Sequence, residues 1–146
     1  MKGGYSFKLQ KLLDIREKKE EESKMKFKQA QIEKKNTEEK LFKLKDNYDK
    51  YNSLNLNDSI LEKKIRHSYL NSLNFCINET TNELQEKLSI VEKRREELKT
   101  KQVERKTVEI LKEKDKLAFE KEQNMIEQKN NDEFALYAFI RNTERR

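Results

Sequence analysis

Counting alternately four and three residues from Leu9 visits Leu13, Arg16, Glu20, Ser23, Phe27, Ala30, Lys34, Thr37, Leu41, Leu44, Tyr48 and Tyr51, with no position skipped. That spacing places all of these side chains on one narrow stripe of a helix, which can bury itself only against another helix. Eight of the thirteen positions are apolar or aromatic, and the polar ones fall at 16–23 and at Lys34 and Thr37. The stripe is therefore firm at both ends and soft between them. A sequence under this constraint is expected to be all-α.

Composition removes the competing architectures. Charged residues make up 42% of the 146 and hydrophobic ones 33%, with two Gly, no Pro and no Trp. Such a balance suits a coiled coil or a disordered chain, and the sustained period selects the coil. Too little apolar material remains for a globular core or a substrate pocket. The net charge of +6 is spread. Acid-then-base pairs four residues apart, such as Glu20 with Lys24 and Glu83 with Lys87, read as a solvated helix surface. A polybasic arm for nucleic acid needs a concentrated block, so no nucleic acid is expected as a partner.

From residue 7 to residue 51 nothing interrupts a first helix, a rod of roughly 65 Å at the usual rise. Residues 1–6 hold both glycines and read as a frayed lead-in. The run 52–58, Asn-Ser-Leu-Asn-Leu-Asn-Asp, offers the backbone competing side-chain hydrogen bonds and predicts a turn. Ser59, with Glu62 three residues on, predicts a capping box that opens a second helix over 59–141. A short connection makes the two helices antiparallel neighbours. The expected fold is a single elongated domain, an antiparallel two-helix coiled coil or helical hairpin.

The second helix carries Leu61, Ile65, Tyr69, Leu73, Cys76, Thr80, Leu84, Leu88, Val91, Arg95 and Leu98, and later Val108, Leu111, Asp115, Ala118, Glu122 and Met125. Continued from Leu98, this spacing misses Val108, which predicts a slip near 102–109. Thr80 with Glu83 forms a second possible cap, so a break near 78–82 stays open. A fold-back centred on 55–58 sets Leu44 near Leu73 and Leu9 near 102–108. The last thirty or so residues then lack a partner in the chain and end in the apolar run 134–140. Two outcomes are open for that run: packing back on Tyr5, Phe7 and Leu12, or docking to another protein.

Catalytic, cofactor and metal sites are not expected. The chain has one His and one Cys, no glycine-rich phosphate loop, and no His/Cys/carboxylate set at metal spacing. His67 reads as a solvated helix residue and Cys76 as a small apolar member of the seam. The lone thiol fits a reducing compartment, and the 1–20 region has no apolar core of a secretory signal. The aromatic zone near the turn (Leu41, Leu44, Tyr48 and Tyr51, with Tyr69, Leu73 and Cys76 opposite) reads either as seam filling or as a docking patch.

The opening Phe7-Lys8-Leu9-Gln10-Lys11-Leu12-Leu13-Asp14-Ile15-Arg16-Glu17, the stretch Tyr69-Leu70-Asn71-Ser72-Leu73, and the pair Asp132-Glu133 before the apolar terminus resemble segments of the FliJ family of flagellar export proteins. The resemblance spans the whole chain. It implies a coiled coil similar to the central stalk of rotary ATPases and a non-enzymatic role in the cytoplasmic part of the flagellar type III export apparatus, peripheral to the membrane. The implied partners are the hexameric export ATPase, the membrane export gate and export chaperones. Carried over, Leu9, Leu13, Arg16, Phe134, Leu136, Tyr137, Phe139 and Ile140 would meet the ATPase ring. Leu41, Leu44, Tyr48, Tyr69, Leu73 and Cys76 would dock on the gate. Cys76 and Thr80 are more polar than such an anchor calls for, which bears on where that patch ends. The stalk protein of a virulence secretion system is the neighbouring alternative; a basic coil for nucleic acid or anionic membrane is the alternative from another class.

Overall fold

The computed structural model describes residues 3–53 and 59–145. They form two helices, α1 (Gln10–Asn52) and α2 (Ile60–Glu144), and no strand is found among them. The fold is all-α, with two long helices packed against each other as a helical hairpin. Residues 54–58, most of the expected turn, lie outside the described residues. The capping box at the start of α2 is present. The Glu62 backbone N–H donates to Ser59 Oγ and the Ser59 N–H to the Glu62 carboxylate, each at 3.3 Å. This reciprocal pair satisfies two donors that a helix start leaves orphaned.

The chain divides into two compact units, Lys19–Lys101 and the combination of Met1–Lys18 with Gln102–Arg146. In the first, α1 and α2 run antiparallel, as the cross-helix pairs show. Tyr51 meets Tyr69 edge to face at 5.0 Å. Lys40 pairs with Glu83 at 3.9 Å and Glu33 with Lys87 at 3.1 Å. The Arg95 guanidinium lies 5.8 Å from the centre of the Phe27 ring. In the second unit the Arg16 guanidinium donates to the Glu104 carbonyl at 2.8 Å, and Lys112 Nζ to Gln10 Oε1 at 2.7 Å.

The four-three beat of α1 is its buried stripe. Leu13, Glu20, Ser23, Ala30, Thr37 and Leu41 are buried, and Arg16, Phe27, Lys34, Leu44 and Tyr48 are half-buried on the same line. Polar members kept the phase because Thr37 donates to the Glu33 carbonyl one turn back and Glu20 reaches Lys24 at 3.7 Å. Long stems and local hydrogen bonds let such residues occupy a narrow seam.

On α2 the seam differs from the expected one. Buried and half-buried positions run through Leu70, Leu73, Ile77, Thr80, Leu84, Lys87, Val91, Arg94, Leu98, Lys101, Arg105, Val108 and Lys112. The beat is unbroken, so there is no slip at 102–109, and α2 continues without interruption through 78–82. Leu61, Ile65, Tyr69, Leu111, Ala118 and Met125 are exposed and lie outside the seam, and so do Leu88, Arg95 and the exposed Cys76. The neighbours of these last three, Lys87, Arg94 and Ile77, take the inner positions. Thr80 is buried in the seam rather than capping a helix, and Thr81 donates to the Ile77 carbonyl at 2.7 Å.

The register is shifted as well. Tyr51, in the last turn of α1, meets Tyr69, about two and a half turns into α2. One heptad further in, Leu44 is level with Cys76 and Ile77 rather than with Leu73. Gln10 is opposite Lys112, which sets Leu9 beyond the expected 102–108 level. The expectation centred the fold on the Asn-rich run, whereas α2 completes its first two turns before it reaches α1.

Candidate docking surfaces

Each unit carries exposed apolar side chains, among them the cluster to which the sequence points. In the Lys19–Lys101 unit, Leu41 and Leu73 are buried beneath the cluster, and Leu44 and Tyr48 are half-buried. Tyr69 is 41% exposed although it packs on Tyr51, so part of its ring remains open to solvent. Cys76 is exposed two turns further along α2. The structure adds Ile60, Phe75 and, on α1, Phe42, all exposed, and turns outward Leu61 and Ile65, which the sequence places in the seam. Leu61, Ile65, Ser68, Ser72 and Phe75 repeat the four-three beat on the face of α2 turned away from its seam. For Phe75 the signal is the stretch 67–78, which has no Lys, Arg, Asp or Glu in a chain that is 42% charged.

In the other unit, Leu13 is buried and Arg16 half-buried, held by its bond to the Glu104 carbonyl, while Leu9 remains exposed just before α1. Residues 3–9 are not helical. They lie along α2, where the Tyr5 hydroxyl donates to Asp115 Oδ2 at 3.0 Å and sits 3.3 Å from the Lys112 carbonyl. The Tyr5 ring packs tilted on Phe119 at 5.5 Å. Tyr5 thus covers Phe119 and not the apolar run 134–140. Every residue from 128 to 145 is exposed, including Phe134 at 74%, with Leu136, Tyr137, Phe139 and Ile140. The docking alternative for this run stands and the packing-back alternative falls.

Electrostatics in both units are those of helix surfaces. Hydrogen bonds from Lys87 and then Gln29 hold the Glu33 carboxyl below its ordinary value. The Arg94 hydrogen bond does the same for Glu97, against a smaller opposing effect of desolvation. Desolvation raises the Tyr5 phenol, helped by the carboxylate of Asp115. Among the described residues no group of three or more His, Cys, Asp or Glu side chains is placed to hold a metal ion, and no helix is long and apolar enough to cross a membrane.

A hairpin whose seam is filled by its own two helices, and whose remaining apolar side chains face outward, is the construction of a helical binding protein. The comparison with known families makes this specific. The model described as Flagellar FliJ protein matches residues 5–144, so the chain belongs to the FliJ family and is a component of the flagellar export apparatus. No curated protein and no solved structure matches the chain.

Proposed function

We propose that the chain is a non-enzymatic coupling component of flagellar export, working at the cytoplasmic face of the membrane. Its helix termini engage the hexameric export ATPase, through Leu9 and the run 134–140 with Leu13 and Arg16 fixing the helix ends. The cluster around Tyr69 engages the membrane export gate, with Tyr48 and Cys76 beside it and Leu41, Leu44 and Leu73 supporting it from the seam. The same coil escorts export chaperones. One observation carries this reading: the run 134–140 holds five large apolar side chains, all exposed, within seven residues of α2. A helix apolar on every side is stable only when it is surrounded, and a ring of subunits surrounds it.

The test is recovery of partners from motile cells with the wild-type chain, with Tyr48→Ala plus Tyr69→Ala, and with Phe134→Ala plus Phe139→Ala. The tyrosine pair is expected to lose the gate protein and keep the ATPase; the phenylalanine pair is expected to do the reverse. Unchanged recovery of both partners from both variants refutes the assignment.

A further inference from the structure

The seam of α2 does not stop where its cover stops. Its beat passes from Val108 to Lys112, under α1, then to Asp115 and Phe119, under Tyr5. Continued without a change of phase, it visits Glu122, Ile126, Lys129, Glu133, Leu136 and Ile140, all of them exposed. This is a third of a coiled-coil seam with nothing on it. A lone helix of this length and composition is marginal in water.

The open seam has a pattern that matches itself in reverse. Ile126 on one side and Leu136 on the other flank a charged middle made of Lys129 and Glu133, with Glu122 and Ile140 at the two ends. Laid antiparallel on a second copy about a two-fold axis near Asn131, Ile126 of each chain meets Leu136 of the other, and at the ends Glu122 of each meets Ile140 of the other. Lys129 of each meets Glu133 of the other, twice per pair of chains. On the flank, Met125 of one copy meets Phe139 of the other, both exposed in the single chain. A parallel pairing sets Lys129 on Lys129 and Glu133 on Glu133, so charge selects the antiparallel arrangement.

We propose that a second copy of this chain occupies the 122–140 seam, giving an antiparallel, two-fold dimer through the α2 tails. An isologous interface of this kind needs only that one surface complement itself, which the residue order supplies. The proposal does not depend on the ATPase assignment. It adds a competitor for the same residues, so a tail held by its own copy is withheld from any other partner. One like-charge encounter is built in, Asp132 beside Asp132 across the axis.

The experiment is sedimentation equilibrium of the full chain over a range of concentrations at low salt, with charge reversals. Lys129→Glu alone and Glu133→Lys alone are each expected to weaken the dimer by about tenfold, because two pairs change sign at once. The double variant Lys129→Glu/Glu133→Lys is expected to restore it, and Asp132→Asn to tighten it. Pairing direction is read by disulfide formation in a Cys76→Ser background. A mixture of Ile126→Cys and Leu136→Cys chains is expected to cross-link to each other and neither to itself. A chain that stays monomeric at every concentration overturns the proposal and leaves the seam to a different protein. So does a dimer that ignores the charge reversals, or one in which Ile126→Cys joins its own kind.

Discussion

Replacing Glu20 by Leu tests whether the soft part of the α1 stripe is a true seam. Glu20 is 4% exposed at a position the four-three beat reserves for apolar side chains. Its ion pair with Lys24 spans 3.7 Å and ends on a lysine side chain that is 48% exposed. A pair of that geometry contributes about 0.3–0.5 kcal/mol. Burying a Leu side chain at the same place contributes about 1.5–3 kcal/mol, and Leu and Glu differ little in helix propensity. Glu20 has contacts besides Lys24 that the substitution also removes, so the net gain is smaller than the burial alone, and Tm is expected to rise by roughly a few degrees. Thermal and urea unfolding followed by circular dichroism at the helix band give the number, with Glu21→Leu as control, since the Glu21 side chain is 69% exposed. Hydrogen exchange supplies the local version. Amides over 16–23 are expected to exchange faster than those over 41–51 in the wild type and to slow in Glu20→Leu. If Glu20→Leu is no more stable than Glu21→Leu, the carboxylate is worth more in the seam than its burial costs, and the reasoning from the stripe fails.

Two further outcomes follow from pH. Glu33 has its carboxyl lowered by Lys87 from an ordinary 4.5, so the stability it adds is present above that value and is lost as pH falls through the lower folded one. Glu33→Gln should therefore be less stable than wild type at neutral pH and equal to it in strong acid, and a constant difference across that range counts against the pair. Tyr5 has its phenol raised above 10.0 by desolvation and by Asp115, so its contribution is complete below that value and fades as pH rises through the higher folded one. In an ultraviolet titration one of the five tyrosines should ionise late, and that late component should vanish in Tyr5→Phe.

How far the fold could be read from the residues depended on whether a stripe left one choice or two. On α1 the phase was fixed by Leu9, Leu13 and Phe27 at one end and by Leu41, Leu44 and Tyr48 at the other. Polar residues between them had nowhere else to fall, and Glu20, Ser23 and Thr37 are buried in that phase. On α2, Tyr69-Leu70 and Cys76-Ile77 offer two adjacent apolar candidates each, and Lys87-Leu88 sets a charged residue beside an apolar one. At 88 the more apolar candidate lies off the seam, and the residue that belongs there is Lys87, whose ammonium is met by Glu33 at 3.1 Å. The slip near 102–109 has a separate origin: Arg95 in place of Arg94 between Val91 and Leu98 reverses the four-three order and sets the next steps at 102, 105 and 109. Cross-helix complementarity, not hydrophobicity, decides such positions, and it becomes visible only when both helices are in register.

The docking surfaces were partly hidden for a related reason. A periodic seam draws attention to the residues that face inward, while the residues that bind other molecules are those the seam leaves out. Cys76 and Tyr69 were weighed as seam members and lie outside it or at its rim, and Phe75, on the outward beat with Leu61 and Ile65, was never a candidate. The tail was legible for the opposite reason. No helix of this chain could reach the run 134–140, so its apolar side chains had to be either exposed or folded back, and Tyr5 has already taken Phe119. In a two-helix protein the seam consumes one face of each helix, so binding specificity resides in whatever apolar side chains break the charged pattern elsewhere. Here such side chains include those over 60–75 and those over 134–140, one group in each unit. Substitutions confined to one cluster should therefore remove one partner and spare the hairpin.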